Sequence, residues 1–166
     1  MKKLKKRAGK RAAHLSLGEI GEELAIRFLE RNGYRIVAAN FHTPIGRGIT
    51  GRPATAEIDI IAYDTSSTPH TLAFIEVKTR SSSRIALPES AVDLRKQRHI
   101  IKAARVYRRL LRLADEPFRY DVVSIVLQPA EEPEIQLLRG FFDERPFSRS
   151  RWQASFQGGP EPEYFG

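Results

Sequence analysis

Two apolar runs rich in β-branched residues, Glu57-Ile-Asp-Ile-Ile-Ala62 and Leu72-Ala-Phe-Ile-Glu-Val-Lys78, carry charges where buried strands normally have none. Side chains alternate faces along a strand. Glu57 and Asp59 are therefore expected on one face, and Ile58, Ile60 and Ala62 on the other. In the second run Glu76 and Lys78 share a face, about 6 to 7 Å apart, while Ala73, Ile75 and Val77 anchor the opposite face in a core. If the runs are neighbouring strands, two carboxylates and one ammonium converge.

Charges taken out of water must be paired or must bind a cation. Two acids beside a lysine suit a divalent ion: Mg²⁺ prefers oxygen ligands, keeps several waters and takes only one or two protein carboxylates. The lysine would then orient an attacking water or offset charge developing at phosphorus. The competing arrangement is a structural salt bridge from Lys78 to Glu76 or Asp59 at a sheet edge, which a Glu-x-Lys strand alone favours. Asp59 raises the case for a site, because clustered ionisable groups gather at functional positions.

The surrounding pattern alternates helix and strand. Ser16-Leu-Gly-Glu19 has capping-box spacing, and Leu17, Ile20, Leu24 and Phe28 recur at helical intervals up to Gly33. Strands are expected at 34–41, 57–63 and 72–79, the last two joined by a turn-like Asp64–His70 segment, as in a meander. A long helix is expected from about Glu89 to Leu113, with Ile100, Ala104, Tyr107 and Leu111 on its apolar side. A strand at 120–127 and a short edge element at 134–142 follow. This order predicts an α/β fold with a mixed central sheet flanked by helices.

A chain of 166 residues is long enough for one cored domain, assigned to 16–144, between a basic arm at 1–15 and a flexible tail at 145–166. The tail's Ser, Arg, Gly and Pro cannot build a core. A net charge of +8 and a pI near 10.0 favour a polyanionic partner, nucleic acid first. The arm has no apolar stretch behind it, and no window is long enough to span a membrane, so no membrane partner is expected. With no cysteine, thiolate chemistry is excluded and a cytoplasmic location is expected.

Some residues break their own pattern. Glu23 faces Arg27 as an ordinary exposed pair, whereas Glu22 falls in the sector of Ala25, Ile26 and Leu29 and is expected to point at the charged cluster, the alternative being a rim carboxylate reaching water. Arg95, Arg98, Lys102, Arg105, Arg109 and Arg112 form a one-signed stripe on the second helix, read as a nucleic-acid contact over a merely solvated face. Lys96 lies instead in the apolar sector with Ile100, Ala103 and Tyr107. His14, His42, His70 and His99 have no metal-ligand spacing.

Asp59 followed by Glu76-Val-Lys78 resembles the bipartite motif of the PD-(D/E)XK nuclease superfamily. More narrowly, Gly21-Glu22, Ala25, Asn32-Gly33-Tyr34, Asn40, Glu57–Ala62, Phe74–Arg80 and Arg119-Tyr-Asp-Val-Val123 resemble the UPF0102 (YraN) family over residues 16–142. Two departures are Ala56, where the family usually has Gly, and a longer stretch from Phe41 to Thr55. The resemblance implies a restriction-endonuclease-like αβββαβ core and a Mg²⁺- or Mn²⁺-dependent DNA endonuclease. Asp59, Glu76 and the Val77 carbonyl would be metal ligands, Glu22 would serve a second metal or a water-bridged contact, and Lys78 would be catalytic. Lys96 or Gln97 would support the metal site, and Lys96, Arg80, Arg98, Lys102, Arg105 and Arg109 would contact nucleic acid. Similarity to archaeal junction resolvases implies branched DNA and a homodimer. The alternatives are a non-catalytic nucleic-acid-binding module and, last, an assembly factor with an acidic partner.

Overall fold

The computed structural model describes residues 16–47, 51–81 and 92–147. Ser16 caps the first helix, α1 (Leu17–Arg31), by the expected box: its hydroxyl accepts the Glu19 N–H, and the Glu19 carboxylate accepts the Ser16 N–H at 2.6 Å. Asn32 ends the helix, and Gly33 takes the left-handed conformation (φ 80°) that turns the chain into the sheet. The strands β1 (Tyr34–Arg47), β2 (Pro53–Asp64) and β3 (Thr71–Arg80) form an antiparallel meander. Helix α2 (Leu94–Leu110), capped by Asp93, then crosses over to β4 (Phe118–Val126), which pairs in parallel with β3, and β5 (Glu134–Phe142) closes the edge. The sheet order is β1-β2-β3-β4-β5. The predicted α/β architecture is therefore present, with a fifth strand at the edge where a short element was expected.

Each face of the sheet is covered by one helix. Ala25 and Leu29 of α1 pack on Ile60, Ala62, Ala73, Ile75, Val123 and Ile125. Ile100, Ile101, Ala103, Ala104 and Tyr107 of α2 pack on Ile58, Ile61, Phe74 and Val122. Burying a large aliphatic side chain stabilises by about 1.5–3 kcal/mol. These two layers therefore fix the helices and everything the helices carry. α2 is shorter than the expected 89–113: Val92 and the cap Asp93 precede it, and it ends at Leu110, with Leu111 an exposed cap and Arg112 breaking the helix with φ 56°. Residues 89–91 lie outside the described region.

One strand expectation needs correction. Ile58 does not share a face with Ile60 and Ala62; it packs under α2 with Ile61, while Ile60 and Ala62 pack under α1. Two residues three apart share a face only if the pleat changes phase between them. The partner strand changes phase at the same place, since Ala38 and Phe41 both pack on the α2 side. Between the flanking pairs Ala39↔Ile60 and Phe41↔Ile58 stand Asn40, with φ 52°, and Asp59. Asn tolerates this left-handed backbone better than other side chains, which explains an Asn inside an otherwise apolar strand.

Of the expected tail, Arg145–Phe147 forms a 3-10 turn with Phe147 against the core. The rest of the tail, with the basic arm and His14, lies outside the described residues.

Candidate active site

β2 and β3 pair from Asp64↔Thr71 to Ile60↔Ile75 and no further. Beyond Ile75, β3 keeps its pairing to β4 through Arg80↔Val126, so the sheet opens on the β2 side alone. At the apex of this opening the Val77 N–H donates to Asp59 Oδ2 at 2.7 Å, a side chain standing in for the missing backbone acceptor. The N–H and C=O of one strand residue point to the same neighbour, so the Val77 carbonyl faces the opening as well.

Glu76 lies on the α2 face and is 2% exposed. Lys78 Nζ donates to its Oε1 at 2.8 Å, and Lys96 Nζ, from the first turns of α2, approaches Oε2 to 3.0 Å. The latter is an ion contact, and Oε2 accepts no aligned hydrogen bond from a described residue. Lys96 therefore sits where its place in the apolar sector predicted, over the acid.

Asp59 is pushed up to about 7, first by burial, then by the charge of Glu76, with a smaller contribution from Glu22; the Val77 N–H and Lys96 act in the opposite direction. Burial works against the charged form of Lys96, but Glu76 and Asp59 outweigh it and hold the ammonium above its usual range. A buried carboxylate whose proton affinity is raised by burial and by a neighbouring acid marks a cation-seeking arrangement.

Glu22 reaches this region through Gly21. A Cβ on Gly21 would fall 1.7 Å from Thr79 Oγ1 and 2.8 Å from Thr79 Cβ, so only glycine lets α1 lie flat on β3. Glu22, half-buried, stands near enough to Asp59 to act on its charge, but forms no ion pair with a described residue. Glu57 turns away, its carboxylate 3.2 Å from His42 Nε2 across the β1–β2 pair. No group of three or more His, Cys, Asp or Glu placed to hold one ion occurs among the described residues. Mg²⁺ ordinarily takes one or two carboxylates from a protein, and Asp59 and Glu76 are the two candidates here.

Residues 21–125, which hold all of these groups, match the uncharacterised protein family UPF0102. A UPF0102 protein of Solibacter usitatus is 42% identical over 125 residues, 75% of this chain and 84% of that one. One from Koribacter versatilis is 40% identical over 129 residues, 78% of this chain and 80% of the relative. The chain belongs to the UPF0102 family. Another UPF0102 protein, from Geotalea uraniireducens, is 37% identical over 137 residues, covering 82% of this chain and 97% of its own. Among solved structures, the crystal structure of SSO0001 overlaps with a TM-score of 0.33 at 15% identity, over 89% of this chain and 64% of that one, and nothing here rests on it.

The basic stripe of this UPF0102 chain lies on the outer side of α2, with Arg95, Arg98, Lys102, Arg105 and Arg109 exposed. Its middle is engaged: Arg105 Nε donates to Glu144 Oε2 at 2.9 Å, and the Arg98 guanidinium lies 5.4 Å from the Phe147 ring centre. Lys102 and Arg109 make no ion pair with a described residue. Arg80, at the end of β3, borders the opening.

A second charged cluster sits on the α1 face. Arg119 Nε donates to both oxygens of Asp121 at 3.0 and 2.9 Å, and its Nη2 to Asp64 Oδ2 at 2.6 Å and to the Tyr34 hydroxyl. The Gly140 N–H donates to Asp121 Oδ1 at 2.8 Å, and Arg139 Nε to the Tyr34 hydroxyl at 3.1 Å. Asp121 thus pairs with Arg119, two residues away on the same strand, in a network that ties β1, β2, β4 and β5. Asp64 and Tyr34 are members that the sequence reading does not find. An acid closing an apolar strand, two strands across the sheet from an Arg-x-Asp strand, is the signal that points to Asp64.

Helix length and hydropathy give no membrane-spanning helix among the described residues.

Proposed function

We propose that this UPF0102 protein is a divalent-metal-dependent endonuclease that hydrolyses phosphodiester bonds in DNA. The observation that carries this reading is the Asp59–Glu76 pair at the mouth of an opened sheet, with one buried Glu76 oxygen held only by the Lys96 ion contact and Asp59 raised by burial and by the charge of Glu76. Asp59, Glu76 and the Val77 carbonyl would hold Mg²⁺ or Mn²⁺, which when bound polarises a phosphoryl oxygen and acidifies water.

The chain's own groups do the positioning. An ammonium has three donors; Glu76 takes one from Lys78, leaving two for a water or a nonbridging phosphate oxygen at the mouth. Lys96 holds Glu76 from behind, offsetting its charge while the substrate is absent. Glu22 adds negative charge on the α1 side, where it can serve a second ion or a bridging water. Lys102, Arg109 and the other cations of α2 supply sequence-independent phosphate affinity.

The non-catalytic binding module draws support from one observation: Lys78 and Lys96 already compensate Glu76 without a metal. The two readings part in a cleavage assay. Labelled single-stranded, duplex, flap and four-way-junction DNA are incubated with Mg²⁺ or Mn²⁺, with Asp59→Ala and Lys78→Ala variants alongside. Metal-dependent cutting lost in both variants supports the nuclease, and preferential cutting of the junction by a dimer, sized by light scattering, supports branched DNA as substrate. Binding without cutting, unweakened in the variants, supports the module.

A further inference from the structure

We infer that the two-stranded ribbon formed by the outer halves of β1 and β2 grips the backbone of a nucleic-acid duplex, with Arg47 and Arg52 as its phosphate contacts. The inference rests on the nucleic-acid reading above and extends it to a surface away from the carboxylates.

The β1–β2 ladder runs on through Phe41↔Ile58 and Pro44↔Thr55 to Arg47↔Pro53, whereas β3 leaves β2 at Ile60. Six residues separate Asp59 from Pro53, about 20 Å of extended chain. The ribbon therefore forms one wall of a wedge whose apex is Asp59 and whose other wall is the end of β3. It does not stand unsupported: Phe41 and Ile45 lean on the α2 core, with the Phe41 and Tyr107 rings edge to face at 5.1 Å. A free two-stranded ribbon is marginal in water, so this buttress is what keeps the wall in place.

Among the described residues, the outer end of the ribbon carries two arginines, Arg47 and Arg52. Gly46 (φ 99°) and Gly51 (φ 74°) each precede an arginine, and a Cβ at either would meet nothing within 4 Å. Left-handed backbone, not crowding, calls for glycine here, and both arginines are exposed. Arg47 spends one guanidinium N–H on the Gly51 carbonyl at 2.9 Å, which aims it along the tip; Arg52 makes no hydrogen bond or ion pair with a described residue. The only acid on the ribbon, Glu57, faces His42.

These dimensions suit a duplex. A two-stranded β-ribbon fits the major groove, and planar guanidinium groups are well matched to phosphate. At about 3.4 Å per base pair, a 20 Å reach places the two arginines roughly six pairs from a bond held at Asp59. An acidic protein would also be drawn to two arginines, but would have no cause to extend to the carboxylates at the apex, which repel it.

The test is the salt dependence of binding to a fluorescent duplex of about 25 base pairs, by anisotropy without divalent metal. The parent is compared with Arg52→Ala, Arg47→Ala/Arg52→Ala and, as a control, Arg31→Ala at the far end of α1. Each phosphate contact adds about 0.9 to the slope of log affinity on log salt, so the slope should fall by about one in the single variant and about two in the double, and stay unchanged in the control. Because Arg52 forms no hydrogen bond or ion pair with a described residue, its variant remains informative even if Arg47→Ala disturbs the turn. An unchanged slope in the double variant overturns the ribbon contact and leaves the nuclease reading standing. Binding with the expected slopes but no cleavage overturns the nuclease and keeps the contact. Failure of the parent to bind duplex, or its complete displacement by polyglutamate at equal charge, overturns the contact together with the nucleic-acid reading.

Discussion

Replacing Asp59 by asparagine should make the metal-free protein more stable, although it removes the central acid of the site. Asp59 is 9% exposed and its folded value is about 7 against 3.8 when free. Each pH unit of such a shift is worth about 1.4 kcal/mol, so holding Asp59 ionised costs up to ~4 kcal/mol, and ~2–4 after local relaxation. The sign follows from linkage: a raised carboxyl contributes stability that is fully present below 3.8 and lost as pH rises through about 7. An amide keeps an oxygen for the Val77 N–H and carries no charge. The Asp59→Asn variant should therefore melt with the parent near pH 3.5 and roughly 10 °C above it at pH 8, with the gap levelling off above neutrality. Saturating Mg²⁺ should narrow the gap by stabilising only the parent. Thermal melts followed by circular dichroism at several pH values, with and without Mg²⁺, decide the matter. A gap independent of pH, or a variant less stable than the parent at pH 8, would refute the idea that Asp59 is held ionised against Glu76.

Lys96→Met should cost about 1–3 kcal/mol in denaturant melts, because the buried Glu76 then keeps Lys78 as its one ion-pair partner and Oε2 loses its cation contact; equal stability would remove Lys96 from the site. Gly21→Ala should cost about 1–3 kcal/mol by pushing α1 off Thr79, and should also lower any metal-dependent cleavage; full activity would show that Glu22 need not stay close. Asn40→Val should destabilise by about 1–2 kcal/mol while Asn40→Gly stays near the parent, and the opposite order would mean that the left-handed backbone at this position is not the constraint. Arg119→Met should cost about 3–5 kcal/mol or abolish folding, since the buried Asp64 and Asp121 would both lose the guanidinium that pairs them, and a mild effect in urea melts would contradict the buried network.

The order of elements is legible in the chain because the relevant signals are local. Ser16 and Glu19 cap a helix whatever surrounds them, and Leu72–Val77 alternates over its whole length, so alternation alone puts Glu76 and Lys78 on one face. Lys96 is legible for the same reason: a helical period of 3.6 puts it among Ile100, Ala103 and Tyr107, and a cation there needs an acid beneath it. The Arg119 network is only half legible. Arg119 and Asp121 are two residues apart, but Tyr34 and Asp64 join them only once β1 and β2 are set beside each other.

The face of Asp59 escapes a periodic reading for a reason that also explains the site. A period of two assumes an unbroken pleat, and the pleat breaks where Asn40 adopts φ 52° opposite Asp59. With regular alternation, Ile58, Ile60 and Ala62 would line the α1 layer, and Asp59, in phase with Ile61, would project squarely from the other face beneath α2. The phase change sends Ile58 and Ile60 to opposite cores and brings the Asp59 carboxylate to the Val77 N–H, at the edge between the layers. From there it feels Glu76 and Lys96 on one side of the sheet and Glu22 on the other. The irregularity that defeats strict alternation in β2 is thus the device that lets groups from both faces act on a single carboxylate. A chain with Val at position 40 and an unbroken β2 would keep the same charges, with Glu22 and Glu76 divided by the sheet.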